Sequence, residues 1–231
     1  MIDLQRIRAI TLDLDDTLWP VWPTIERAEQ TLQDWLMQHA PKTAALCTER
    51  NLIREIRQQI QDSRPDLQHD LSAMRREAIR LALLRAGDPG DLAEPAFEAF
   101  FEARQRVTLF DDALPFLDFV SSRYPVVALS NGNADVHRTG IGQYFKAAVS
   151  ARAFGVGKPD PRIFHEAAAR AGVPAEAVLH VGDDAHLDGV GALGAGMQCV
   201  WINRDGHDWP SELSQPLTFS SLSDLRKHLQ A

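Results

Sequence analysis

The sequence predicts an α/β protein, a doubly wound, Rossmann-like parallel sheet interrupted once by an inserted helical domain. Three observations carry this. Residues 7–18, IRAITLDLDDTL, form an apolar run that stops abruptly at three carboxylates. Residues 24–104 then show helical periodicity and no convincing strand. From residue 109 onward, short apolar runs alternate with amphipathic helical stretches, the pattern of β–α units winding a parallel sheet.

In the first stretch Ile7, Ala9, Ile10 and Leu12 are interrupted only by Arg8 and Thr11, as expected of a central strand covered on both faces. Asp is a poor strand former, so Asp13, Asp15 and Asp16 mark where the chain leaves the sheet. That carboxyl end is where open α/β sheets bind ligands. Positions i and i+2 of an extended segment face one side, which directs Asp13 and Asp15 to one small volume. Like charges so placed raise one pKa unless a cation intervenes, and a hard, oxygen-seeking cation such as Mg²⁺ removes the conflict. One carboxylate is then free to attack and the other to move protons.

The helical stretch reads as four helices. Thr24 is placed as N-cap of the first, with Ile25, Ala28, Leu32, Trp35 and Leu36 on one face. The second runs near 44–61 and is broken at Pro65; the third runs over 70–85 and ends at Gly87, Pro89 and Gly90; the fourth covers roughly 92–107. This is too long for an ordinary βα crossover. The domain reading is therefore a core of 1–18 with 105–231, and an insertion of 19–104.

The core resumes with a helix over 112–123, a strand over 125–129, Ser130-Asn131-Gly132-Asn133 at its end, a short helix, and a strand over 147–149. A loop carrying Lys158 precedes a helix over 161–171, with Pro161 in its first turn and Gly172 after its end. A strand over 177–181 stops at Gly182-Asp183-Asp184; a Gly-rich helix to Gly196, a strand over 198–202, a polar tail and a helix over 222–229 complete the chain.

With 45% hydrophobic residues in 231, the chain can bury a sizeable core. A net charge of −8, from 24 basic and 32 acidic residues, argues against a nucleic-acid or anionic-membrane surface. Cys47 and Cys199 are far apart and lack metal-ligand spacing, which fits a reducing compartment. No apolar run approaches the ~20 residues of a membrane span and no basic-then-apolar leader opens the chain, so a cytoplasmic location is expected.

The ordered motifs DLDDT, SNGN, GVGKPDP and VGDDAHLD resemble those of the haloacid dehalogenase-like hydrolase superfamily, across the whole chain and with an α-helical cap between the first two. Within it the sequence is similar to bacterial phosphatases of flavin mononucleotide and of a phosphorylated ribitylamino-uracil. The resemblance implies a Mg²⁺-dependent phosphomonoesterase acting on a small phosphorylated metabolite. Asp13 would be the nucleophile that becomes an aspartyl phosphate, and Asp15 would protonate the leaving alcohol and then activate water. Ser130 and the backbone at Asn131 would bind the phosphoryl group, and Lys158 would neutralise charge on it. Asp13, Asp183 and the backbone carbonyl of Asp15 would hold Mg²⁺, while Asp184 or Asp188 acts through water or orients Lys158.

A dehalogenase would not need Asp15 or Asp183; a phosphosugar mutase, sharing the aspartyl phosphate, stays open; phosphonate cleavage would need a cap lysine, and Lys42 has no supporting motif. Substrate recognition falls to the cap, with Trp19 and Trp22 able to stack on a flat heterocycle and His69, Asp70 and Arg75 able to hydrogen-bond a polyol. Their blander readings are hinge packing for the tryptophans and a helix N-cap for Asp70. Asp16 reads as a turn residue, Thr17 as a satisfier of nearby backbone groups, Gly155 and Gly157 as turn glycines, and His180 as a satisfied core residue.

Overall fold

The computed structural model describes residues 2–210 and 214–230. Its core is a six-stranded sheet of β1 (Ala9–Leu12), β2 (Val126–Ser130), β3 (Ala147–Ser150), β4 (Val178–Gly182), β5 (Gln198–Ile202) and β6 (Leu217–Phe219). The order is β3-β2-β1-β4-β5-β6 and every neighbouring pair is parallel. The winding reverses between β1 and β4, and at such a switch point the loops beyond the strand ends part to leave a crevice. Leu12 lies in register with Ala128 and Val181, so Asp13, Ser130 and Gly182 come out at one edge.

Burial on both faces explains the near-continuous apolar strands. Ala9, Val127, Leu129, Val149 and Val178 pack with Ile163, Phe164, Ala167 and Ala168. The alternate positions Ile10, Leu12, Val126, Ala128, Leu179 and Val181 are equally buried.

The chain divides into two units, Met1–Pro20 with Thr108–Ala231, and Val21–Val107. The second is all helical: α1 (Val21–His39), α2 (Pro41–Leu46), α3 (Arg50–Ser63), α4 (Leu71–Ala86) and α5 (Ala93–Arg104). Leu32, Leu36, Ile79, Leu83, Phe97 and Phe100 form its core. α1 starts three residues before the expected cap. Pro23 falls in its first turn, where no backbone N–H is needed, and Thr24 is buried inside the helix. The helix expected over 44–61 is two, because Thr48 and Glu49 N–H groups turn to the carbonyls of Ala45 and Leu46 and tighten the chain out of the α-helix. Asp70 does cap α4, accepting from the Ala73 N–H at 2.9 Å, and Gly87 ends it at φ +77°.

The core helices are α6 (Ala113–Ser121), α7 (Ala151–Phe154), α8 (Pro161–Ala171), α9 (Gly191–Gly194) and α10 (Leu222–Gln230). No α-helix follows Asn133: the Asp135 carboxylate accepts from the His137 and Arg138 N–H groups, a local turn that competes with helix. The Gly-rich segment is a π-type turn, Ala185–Val190, leading into α9 rather than one helix. β6 lies within the stretch read as a polar tail. Among the described residues no helix is long and apolar enough to cross a membrane.

Candidate active site

The site is built from four loops at the carboxyl edge of the sheet. Asp13 follows β1 directly, its N–H donating to the Val181 carbonyl at 2.9 Å, so β1–β4 pairing continues through the residue. After it the chain folds back: the Leu18 N–H reaches the Leu14 carbonyl, the Asp16 N–H reaches the Trp19 carbonyl, and Asp16 sits at φ +55°, a conformation Asp tolerates. The turn reading of Asp16 therefore matches its geometry.

Lys158 reaches this point from the loop before α8. Its Nζ donates to Asp13 Oδ1 and to Asp188 Oδ1, both at 2.6 Å, with all three side chains almost wholly buried. Asn131, just beyond β2, fixes the lysine's backbone: its Oδ1 accepts from the Lys158 N–H at 2.7 Å and its Nδ2 donates to the Lys158 carbonyl at 2.8 Å. Gly157 makes room for this, because a Cβ there would stand 2.7 Å from Asn131 Oδ1. Gly155, at φ +95°, closes α7 ahead of it. Ser130 is buried at the end of β2, its Oγ accepting from the Gly132 N–H at 2.9 Å.

Asp183 and Asp188 follow β4. The Thr17 hydroxyl donates to Asp183 Oδ1 at 2.9 Å, which corrects the expectation that it serves the backbone, and the Trp201 indole donates to the Asp183 carbonyl at 2.6 Å. Asp188 Oδ2 accepts from the Asp184 N–H at 3.0 Å. Asp184 is exposed and caps the π-type turn, accepting from the His186 and Leu187 N–H groups at 2.8 and 2.7 Å.

His180 joins this network, an involvement the sequence reading missed. Its Nε2 lies 2.9 Å from Asp188 Oδ1 and its Nδ1 lies 2.8 Å from Thr11 Oγ1, with His180 and Thr11 in register on adjacent strands. The available signal was a polar interruption in each of two otherwise apolar central strands.

Burial pushes the Asp13 carboxyl up to about 7, and the neighbouring Asp188 and Asp15 add to this against the pull of Lys158. Burial, reinforced by Asp13 and Asp188, pushes Asp183 up to about 9. Burial opposes ionisation of Asp188 as well, but Lys158 and His180 hold it below the usual carboxylate range. Burial likewise works against the Lys158 charge, and the two carboxylates outweigh it and raise its pKa.

Oxygens of Asp13, Asp183 and Asp188 lie within 4.8 Å of one another. Both Asp188 oxygens are engaged by Lys158, His180 and the Asp184 N–H, leaving Asp13 and Asp183 as the mutually repelling pair that a cation would relieve. An all-oxygen donor set of this kind fits Mg²⁺. The Asp15 carboxylate lies outside that trio, its Oδ1 accepting from the Trp19 indole at 2.8 Å.

Trp19 is completely buried, so its ring has no open face for stacking. The other residues read as substrate contacts belong to the helical unit. There Asp70 serves as the cap of α4, and Arg75 pairs with Glu29 at 2.7 Å with its guanidinium 3.8 Å above the Phe100 ring. His69 is half-buried in the turn before Asp70.

A family model described as haloacid dehalogenase-like hydrolase matches residues 7–196, and the chain belongs to that family, as its four motifs indicate. It is 33% identical over 230 residues, 96% of each chain, to the 5-amino-6-(5-phospho-D-ribitylamino)uracil phosphatase YigB of Escherichia coli K12. It is 34% identical over 157 residues to the phosphoserine phosphatase of Thermus thermophilus, spanning 65% of this chain and 63% of that one. A crystal structure described as the 2-haloacid dehalogenase from Pseudomonas syringae pv. Tomato DC3000 superposes with a TM-score of 0.91 at 39% identity, covering 97% of this chain and 98% of that one.

Proposed function

We propose that the protein is a Mg²⁺-dependent phosphomonoesterase that works through an aspartyl phosphate on Asp13. The observation that carries this is Lys158, bonded at 2.6 Å to Asp13 and Asp188 at the end of β1, with Asp15 two residues further on. The ammonium neutralises one Asp13 oxygen and leaves charge compensation at the point where an anionic phosphoryl group would be attacked. Asp13 forms a bond to phosphorus as the bond from phosphorus to the ester oxygen breaks, and Asp15 gives that oxygen its proton. Asp15 then takes a proton from water, whose oxygen attacks phosphorus and releases phosphate and Asp13. Asp13 and Asp183 would hold Mg²⁺, with the Asp15 carbonyl as a further ligand; bound there, the ion would offset charge on the phosphoryl oxygens.

The likeness to a solved dehalogenase favours a second reading, displacement of halide from carbon. Chloride leaves as the anion of a strong acid and needs no proton donor, whereas an alkoxide does. Asp15 therefore supports the ester. Similarity over 96% of both chains makes the phosphorylated ribitylamino-uracil, with flavin mononucleotide as a ribityl analogue, the first substrates to try. The test is a panel of phosphomonoesters and 2-chloropropionate, with Mg²⁺ or with EDTA, on wild type and Asp13→Asn. Phosphate release that needs Mg²⁺ and vanishes in Asp13→Asn is expected; chloride release without phosphate release would establish the dehalogenase instead.

A further inference from the structure

We infer that Arg204 is a positioning residue for the metal site, acting through Thr17 on Asp183. This rests on the reading above that Asp183 helps to hold Mg²⁺. Asp183 is gripped at both ends: the Trp201 indole on β5 donates to its carbonyl at 2.6 Å, and the Thr17 hydroxyl donates to its Oδ1 at 2.9 Å. Thr17 is wholly buried, and its own carbonyl accepts from Arg204 Nη2 at 3.1 Å. The guanidinium making that contact is fixed in turn. Asp112, just ahead of α6, takes both terminal nitrogens: Nη2 donates to Oδ1 at 2.9 Å and Nη1 to Oδ2 at 3.2 Å. The guanidinium carbon lies 4.0 Å from the centre of the Phe110 ring. Asp112 Oδ2 also accepts from the Leu222 N–H at 2.8 Å, which ties the carboxylate to the start of α10. Forked pairing combined with stacking suits arginine, whose planar group is pre-organised for both. Other backbone bonds shape the turn at Asp16 and Leu18, and Arg204 adds a grip at Thr17 itself. Trp201 and Arg204 stand three apart at the end of β5, so one strand end reaches Asp183 twice, directly and through Thr17.

Charge and position give opposite signs here. Deleting a cation near a Mg²⁺ site, and leaving Asp112 unpaired, would by Coulomb attraction alone tighten Mg²⁺ binding. Loosening Thr17 would weaken it, since groups that orient a metal ligand are commonly worth about 10–100-fold in affinity. The test is calorimetric titration of EDTA-treated, desalted protein with MgCl₂. In Arg204→Met the Mg²⁺ dissociation constant is expected to rise about tenfold. Thr17→Val, which removes the hydroxyl with little change of shape, is expected to raise it at least as much. Arg204→Met added to Thr17→Val should raise it further by less than about twofold, because the arginine acts through that hydroxyl. A role in general packing would instead cost the same in either background. Should loss of the Asp112 partner unfold Arg204→Met, the combination of Arg204→Met with Asp112→Asn removes both charges and is titrated in its place, with the same expectation. An unchanged or tightened constant on losing Arg204, or the full loss repeated in the Thr17→Val background, overturns the proposal. A wild type that binds no Mg²⁺ instead overturns the metal reading, and the role of Arg204 falls with it.

Discussion

Replacing Gly182 with alanine is expected to disable the site without touching any group that meets substrate. The new Cβ would stand 2.3 Å from Asp188 Cγ, 2.4 Å from its Oδ2 and 2.7 Å from its Cβ. Ordinary contact begins near 3.4 Å, so the Asp188 side chain must retreat by about 1 Å. Asp188 Oδ1 is bonded to Lys158 Nζ at 2.6 Å and to His180 Nε2 at 2.9 Å, and the shift takes these contacts out of hydrogen-bonding range or drags the lysine off Asp13. Misplacement of about 1 Å costs on the order of 10²-fold in rate. Overpacking a buried position costs about 2 kcal/mol, or roughly 4–8 °C in Tm for a chain of this size. Gly182 has no positive φ, so the effect is steric alone. The assay is kcat on the best phosphomonoester at saturating Mg²⁺, with Tm from calorimetry. Gly194→Ala is the control, since its Cβ meets nothing within 4 Å. A Gly182→Ala enzyme with kcat within about threefold of wild type and an unchanged Tm would refute the coupling of Asp188 to Lys158.

Lys158→Met should lower kcat by about 10²–10³-fold and destabilise the fold by about 3–5 kcal/mol, because Asp13 and Asp188 lose a buried counter-charge; urea unfolding and turnover check both. In EDTA, Tm should fall as pH rises from about 7 to 9: Asp183 and Asp13, raised to about 9 and about 7, hold protons in the folded state that the unfolded chain has lost. His180, lowered by burial, has the opposite sign below its ordinary 6.5 and masks the trend there. A flat Tm across 7 to 9 would contradict the raised acids. Adding Mg²⁺ to weakly buffered protein at about pH 7 should release protons, since the carboxylates must ionise to bind it; an unchanged pH would count against Asp13 and Asp183 as ligands.

What the sequence shows of this site depends on how far apart the partners lie along the chain. The position of Asp13 could be read directly, because an apolar strand run stops there at carboxylates; the Asp15 carboxylate, expected on the same side, turns to the Trp19 indole because the chain folds back directly after Asp13. The parallel sheet and the long helical insertion were likewise legible, since periodicity is local. The helix split at 47–49 and the edge strand β6 were not, because each depends on backbone bonds to particular neighbours rather than on periodicity.

The partner of Lys158 was harder still. Asp184 and Asp188 are the same residue type four positions apart, and composition does not separate them. The π-type turn does: Asp184 faces solvent and spends its carboxylate on N–H groups of that turn, while Asp188 is turned inward to Lys158 and His180. The choice depends on β4 as well, because only a residue without a side chain at 182 leaves space for the inward carboxylate. Thr11 completes the chain of contacts from the strand on the other side of the crevice, holding His180 from 169 positions away. The place of Asp13 is therefore set by a local pattern. The charge that serves it is set by the register of β1 against β4, which brings Thr11 level with His180 and Leu12 level with Val181.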